Sequence, residues 1–360
     1  MDVRKFLIKV TLFSPIVLIM IVVNYLVGYG PARFNYSAHL ENISRIMVSG
    51  KNIGNSFVLK LDQRILNRCL INGFSGKKQV VVLGSSRTRE VNYTDFSGYS
   101  FFNNSMDSAS LEDDITTYWM YRKRNILPNV IIIGLDPWLL NKNIDADEYK
   151  ILGEEYSEAA EYIFKDVKKR RVRIPGFYII NYLQAVLSPT SFQVSYYKAR
   201  LSKSELMVTE EFETNDWLIR SDGSQNWPKS LKKRSAAEVE INVKKDMSFF
   251  EKPLKKYYFL EKQRFEEFVG VIQDDKVKVI FYLMPFHPTT YNLLLKSEKF
   301  RIVADAEVYF REYSLKYGIE LYGSYDPKVN GIAENDFYDC VHAKWDSIKQ
   351  HYRVKSLEIK

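Results

Sequence analysis

The sequence predicts an α/β protein built on a doubly wound parallel sheet, with a largely helical insertion and one transmembrane helix at the N-terminus. Three observations lead there. Short apolar runs of strand length recur along the chain, stretches with helical apolar spacing lie between them, and a long uncharged stretch stands near the N-terminal end. Strands that alternate with helices pair in parallel through right-handed crossovers, which places helices on the faces of one sheet.

Residues 1–9 read as a cytoplasmic tail, because Arg4, Lys5 and Lys9 precede the uncharged stretch and basic residues favour the cytoplasmic side. Residues 10–30, VTLFSPIVLIMIVVNYLVGYG, carry no charge; about 20 such residues span a hydrocarbon core of roughly 30 Å. The stretch is longer than the h-region of about 7 to 15 residues in a cleaved signal peptide and is followed by no A-x-A-like site. It therefore reads as a retained single-pass anchor in the cell membrane, with everything after Pro31 extracytoplasmic. Residues 31–75 read as a polar, partly helical stalk, and residues 76–360 as one extracytoplasmic domain.

Within that domain, strand signals fall at 79–84 (QVVVLG), 99–103 (YSFFN), 129–134 (NVIIIG), 277–283 (VKVIFYL) and 318–322 (GIELY). Continuous apolar runs of this length suit strands buried on both faces. Leu111, Ile115, Tyr118 and Trp119 make one helical apolar face, and Phe265, Phe268, Val269 and Ile272 another. Residues 141–249 break the rhythm. This stretch is rich in charge, with turn signals at 173–176 (RIPG) and 221–223 (SDG), and reads as a largely helical insertion or cap.

An apolar share of 46%, with 22 Phe and 25 Tyr, supplies ample core material and argues against a disordered chain. The net charge of +8 comes mostly from basic residues interleaved with acids, except in the runs 165–173 (KDVKKRRVR) and 229–234 (KSLKKR). Such runs read first as solvated surface; their functional reading is contact with an anionic polymer or anionic lipid head groups. An extracytoplasmic domain makes nucleic acid the poorest fit. The two cysteines, Cys69 and Cys340, stand at no metal-ligand spacing, so neither a zinc site nor a disulfide framework is indicated, and a single bridge stays open.

Chemistry concentrates at strand ends. Gly84, Ser85 and Ser86 directly follow the first strand, at the carboxyl edge where open α/β sheets place their ligand crevice. Gly84 permits a sharp turn, and the amides after it can face a substrate oxyanion. Asp339 and His342, three residues apart in DCVH, let a carboxylate orient one ring nitrogen while the other faces a nucleophile. His287, in LMPFHP at the end of another strand, reads as a substrate contact or substitute oxyanion donor, or else as a structural loop histidine. Trp138 and Trp345 flank motif residues, where they fit a sugar-stacking role or, more plainly, the core. The SDGS segment at 221–224 is a turn first and an acceptor contact second.

Taken together, the strand-end G-x-S block and the late D-x-x-H resemble blocks I and V of the SGNH/GDSL hydrolases. YSFFNNSMDSASLED (99–113) is similar to block II and NVIIIGLDPWLLN (129–141) to block III. The resemblance covers most of 79–139 and about 275–351, and implies a flavodoxin-like sheet of the SGNH type. It also implies Ser86 as nucleophile, His342 as general base and Asp339 as the acid that orients it. The amides of Ser86 and Ser108 would form the oxyanion hole, with Ser108 standing where the family usually has glycine.

Two positions depart from the family pattern. Ser85 replaces the aspartate of G-D-S, and Asp136 replaces the asparagine whose amide normally donates to the oxyanion. An ionised carboxylate only accepts, so Asp136 either stays protonated, structures its loop, or leaves the donor to another group. A G-S-S block behind an N-terminal anchor is similar to the membrane-anchored members that serve D-alanyl transfer to lipoteichoic acid and alginate O-acetylation. That likeness implies O-acyl transfer, most simply of acetyl, to an extracytoplasmic polysaccharide or cell-wall polymer, beside a membrane-bound O-acyltransferase partner and with no metal or diffusible cofactor. A carbohydrate esterase with the same triad, and a catalytically silent polymer-binding or scaffold subunit, are the alternatives.

Overall fold

The computed structural model describes residues 3–28, 31–141, 148–166, 206–246, 259–296 and 298–354, with four isolated positions between 187 and 196. The RIPG turn signal and most of the first basic run lie outside the described residues.

All five expected strands form. They are β2 (Val80–Leu83), β3 (Phe101–Asn103), β4 (Val130–Gly134), β8 (Lys278–Leu283) and β9 (Glu320–Gly323), and they make one sheet in the order β3-β2-β4-β8-β9. Every pairing is parallel, with Val80 opposite both Phe101 and Val130, Gly134 opposite Tyr282, and Leu283 opposite Gly323. Counting these strands in chain order gives 2-1-3-4-5, the doubly wound order whose ligand crevice opens between strands 1 and 3. Here that switch point lies between β2 and β4. The valine and isoleucine runs of these two strands are buried throughout, as a sheet covered on both faces requires.

Alternation along β8 sorts the two layers. Phe281 packs against Phe265 of helix Phe259–Asp274 and Tyr313 of helix Ile302–Tyr317. Its neighbour Tyr282 points the other way, onto Trp345 and Tyr352 of the C-terminal turns, and donates its hydroxyl to the Tyr352 carbonyl. Helix Leu111–Lys123 differs from the amphipathic reading in being buried nearly all round. Its acidic first turn is accommodated because Arg264 pairs with Glu112 and Arg64 with Asp113, both in the interior.

A second, antiparallel sheet runs β5-β1-β6-β7, from β1 (Asn52–Gly54), β5 (Met207–Thr209), β6 (Leu218–Ile219) and β7 (Gln225–Asn226). It corrects two expectations. The insertion is not simply helical, since its second described part supplies three of these strands. Nor do residues 31–75 behave as a stalk. Ile53 pairs with both Val208 and Ile219, and Leu40, Ile43, Met47, Leu66 and Leu70 are buried in the common core. Polar composition concealed this because the buried apolar residues are few and recur at helical spacing, Leu40, Ile43 and Met47 in helix Pro31–Val48 and Leu66 and Leu70 in helix Gln63–Gly73.

The SDG segment does turn, with Gly223 at φ +82° joining β6 to β7. A side chain at Gly223 would collide with the Asn103 carbonyl, so the hairpin sits directly on the end of β3. Asn103 N donates to Asp222 O and Gln225 N to Arg89 O, locking the small sheet against the carboxyl edge of the large one.

Among the described residues no helix is long and apolar enough to cross a membrane, so the expected crossing is not supported by the fold. What the first helix, Val3–Gly28, does show is a run of exposed apolar side chains that includes Leu12, Phe13, Ile16, Leu18, Ile19 and Val22. Cys69 and Cys340 are both free thiols, which removes the single bridge.

Candidate active site

β2 ends at the switch point in a turn that only glycine fits. Gly84 has φ +144°, and a Cβ there would lie 2.7 Å from Thr88 Oγ1 and 3.2 Å from Gly134 Cα. Ser85 follows, buried, its Oγ accepting from Arg87 N at 3.2 Å to cap a short 3₁₀ turn, Ser86–Thr88. Thr88 N closes that turn on Ser85 O. Ser86 is thereby raised, half-buried, above the edge of the sheet.

Opposite it, residues 337–343 form a tight loop closed by a bridge between Phe337 and Ala343 and by Tyr338 N donating to His342 O. Inside the loop Asp339 Oδ1 accepts from the backbone amides of Val341 and His342, each at 2.9 Å. Its Oδ2 stands 2.7 Å from His342 Nδ1, and His342 Nε2 stands 2.8 Å from Ser86 Oγ. With a carboxylate fixed at Nδ1, that nitrogen carries the proton and Nε2 is left to accept from Ser86. His287 N holds the loop from beneath through Cys340 O.

Electrostatics support that assignment. Burial alone would lower the His342 pKa, but the Asp339 carboxylate, its hydrogen bond and the nearby Asp107 outweigh burial and raise it above the ordinary histidine value. Burial would likewise raise Asp339, yet His342 and the two backbone amides hold it below the usual carboxylate range.

Ser108 lies on the loop that follows β3. Asn104 N donates to Val82 O and Met106 N to Gly84 O, so this loop runs along the end of β2 beside the nucleophile turn. Ser108 is exposed and left-handed, at φ +53°, the conformation that explains a preference for glycine at this position. Among the described residues neither the Ser86 nor the Ser108 amide is taken by a protein acceptor. The loop is braced by Asp107. Its backbone N–H donates to Gln63 Oε1 at 2.6 Å, and its carboxylate accepts from Gln63 Nε2 at 2.8 Å and Arg89 Nη1 at 2.9 Å.

Asp136 follows β4 and answers to Arg87. The guanidinium Nη1 lies 2.7 Å from Asp136 Oδ1, with both side chains buried. Arg87 also donates to the carbonyls of Met284 and Val341, and its cation rests 4.0 Å from the centre of the Phe286 ring. Burial pushes the Asp136 carboxyl up, against the pull of Arg87 and a hydrogen bond from Ser85. Of the three roles open to Asp136, the geometry shows the structural one: it ties the end of β4 to the nucleophile turn. The two departures from the resembled pattern both meet Arg87, whose backbone N–H donates to Ser85 Oγ and whose guanidinium pairs with Asp136.

The structure brings Ser86, His342 and Asp339 together and places Ser108 and Asp136 around them. His287 it places otherwise. Wholly buried, His287 accepts Thr289 N at Nδ1 and so caps helix Pro288–Leu295, with its ring against Phe337. That corrects the substrate-contact reading; burial lowers its pKa. Trp345 is core, with its indole bonded to Asp95, while Trp138 is half-buried near Arg87. Sequence reasoning missed Trp227, whose ring lies 5.4 Å from that of His342, and Gln63. Trp227 stands beside the SDG turn and the second basic run, a signal that was present; nothing local marks Gln63. The chain matches no protein-family model, no curated protein and no solved structure.

Proposed function

We propose that the protein is an O-acyltransferase that holds an acyl group as an ester on Ser86 and passes it to a hydroxyl of an extracytoplasmic polysaccharide or cell-wall polymer. The observation that carries this reading is the unbroken chain Asp339–His342–Ser86 at the switch point of the sheet. His342 Nε2 takes the Ser86 hydroxyl proton as Oγ attacks the acyl carbonyl carbon. The amides of Ser86 and Ser108 receive the oxyanion. Collapse expels the donor's leaving group, which takes the proton from His342 and leaves acyl-Ser86. In the second half the acceptor hydroxyl gives its proton to Nε2, attacks the ester carbonyl, and releases Ser86, which recovers the proton.

Attachment to the membrane through residues 10–30, with the site on the outer side, belongs to the same proposal. It is supported by the uncharged sequence and by the exposed apolar side chains of the first helix. A membrane-bound acyltransferase as donor partner follows from the resemblance alone.

The test is to mix the full chain with an activated aryl acetate and weigh the intact protein. A single acetyl adduct on wild type that is absent from Ser86→Ala supports the reading; a folded wild type that never acquires one overturns it. Decay of the adduct at a rate indifferent to added polyol would make the protein an esterase, with water in the acceptor's place.

A further inference from the structure

We infer that the inserted hairpin beside the triad is the acceptor subsite, and that it takes a glycosyl unit bearing negative charge. The inference rests on the transferase reading for its meaning and on separate residues for its evidence.

Trp217, just before β6, and Trp227, just after β7, are both half-buried, with ring centres 4.5 Å apart. Trp227 lies flat on Tyr338 at 4.3 Å and 8°, and tilts over the His342 ring at 5.4 Å. Tyr338 is fixed in turn, its hydroxyl donating to the half-buried Glu90. The result is an aromatic wall that begins at the general base and leads away from it into the insertion. Neither indole N–H meets an acceptor among the described residues. A wall with apolar ring surfaces and free N–H donors suits the C–H face of a sugar ring better than an acyl tail.

Charge supplies the second half of the argument. Pro228 directly follows Trp227 and opens the helical turn Lys229–Lys232, part of the second basic run. Lys232 is spent on Glu213 and Asp346, and Lys344 on the Asn335 carbonyl. Lys229 and Lys233 are exposed and engage no carboxylate among the described residues. Two uncommitted cations at the end of an aromatic wall that starts at His342 give a ring stacked on that wall a carboxylate-sized or phosphate-sized partner.

Binding can be read without catalysis. In the full chain carrying Ser86→Ala, a short oligogalacturonate is titrated against tryptophan fluorescence, with a neutral malto-oligosaccharide of equal length as control. The expected result is a saturable change with the anionic probe, little with the neutral one, and about ten-fold weaker affinity in Lys229→Ala/Lys233→Ala, the loss expected of two rim ion pairs. Trp217→Phe should reduce the signal and the affinity while the far-ultraviolet spectrum stays that of the parent. Equal binding of the neutral probe, indifference to the double lysine substitution, or no saturable signal would each overturn the subsite. Binding as expected in a protein whose wild type never forms acyl-Ser86 would keep the subsite and sink the transferase reading, so the two failures are distinguishable.

Discussion

Arg87 and Asp136 form a buried ion pair across the carboxyl ends of β2 and β4, Nη1 to Oδ1 at 2.7 Å, with Arg87 next in the chain to the candidate nucleophile. The pair gives Asp136, one departure from the resembled motif, a structural role, while Ser85 caps the turn that carries Arg87. A family-type asparagine at 136 would present an amide to the oxyanion, but here that position is committed to holding the guanidinium, and the guanidinium holds the carbonyls of Met284 and Val341.

Placing at 136 the asparagine of the resembled family should therefore do harm. Asp136→Asn leaves the Arg87 cation buried without its counter-charge, which costs about 3–5 kcal/mol of stability when one partner of such a pair is lost. Urea unfolding measures it, and Arg87→Met/Asp136→Leu should recover most of the loss. An Asp136→Asn protein as stable as wild type would mean that the carboxyl is already neutral in the folded state, and the ion-pair account would fail.

On the proposed function, the triad should set the pH profile. Acylation needs neutral His342, whose pKa is raised above 6.5, so the rate should climb with pH through a midpoint above that value. Asp339→Asn leaves burial as the main influence and should move the midpoint below 6.5, with a rate loss on the order of 10⁴ by analogy with other triads. Stability runs on the same two groups with opposite signs. The raised imidazole contributes fully below its unfolded value of 6.5 and loses the contribution as pH rises through its folded pKa. The lowered Asp339 contributes above 3.8 and loses it as pH falls through its own folded value. Their joint contribution is greatest between those reference values. An acylation profile flat from pH 5 to 9, roughly the window over which a perturbed histidine titrates, would rule His342 out as the base.

Gln63 acts at one remove from chemistry, by gripping both the backbone and the carboxylate of Asp107 one residue before Ser108. Gln63→Leu removes both bonds, worth about 1–2 kcal/mol at the transition state, so the acylation rate should drop about five- to thirty-fold. KM for a small aryl ester should barely move, because on the proposed function the loosened Ser108 amide serves the oxyanion and not the ground state. A rise in KM at constant kcat would place Gln63 in ground-state binding instead.

Much of this was legible in the chain because it was written in local pattern. Val80, Val81, Val82 and Leu83 cannot sit anywhere but between two layers, and all five strands of the main sheet follow from such runs. Ser86, Asp339 and His342 were readable because strand-end position and three-residue spacing are local too. What escaped was pairing over long sequence distance. Ile53 joins Val208 and Ile219, and Trp227 reaches His342, through contacts that no periodicity records. His287 misled for the same reason: its strand-end position is that of a substrate contact, while its role is fixed by Thr289 and by the loop above it.

Asp114 offers a test of the interior on which the site rests. Its neighbours in the first turn of helix Leu111–Lys123 each own a cation, Arg264 for Glu112 and Arg64 for Asp113, whereas both Asp114 carboxyl oxygens are buried with no partner among the described residues. Burial first, then the charges of Asp113, Asp136 and Glu112, push its pKa well above 3.8. The folded protein thus keeps a proton there that the unfolded chain releases above 3.8, and stability must fall as pH rises from that value toward the raised folded one. Asp114→Asn cannot titrate, so the difference in melting temperature between variant and wild type should grow in the variant's favour from mildly acidic to mildly alkaline buffer. The slope is the readout, because the cost of burying the new amide is the same at every pH. A difference that stays constant across that range would mean the carboxyl is solvated or paired in solution, and the neutral-acid account of this helix turn would be wrong.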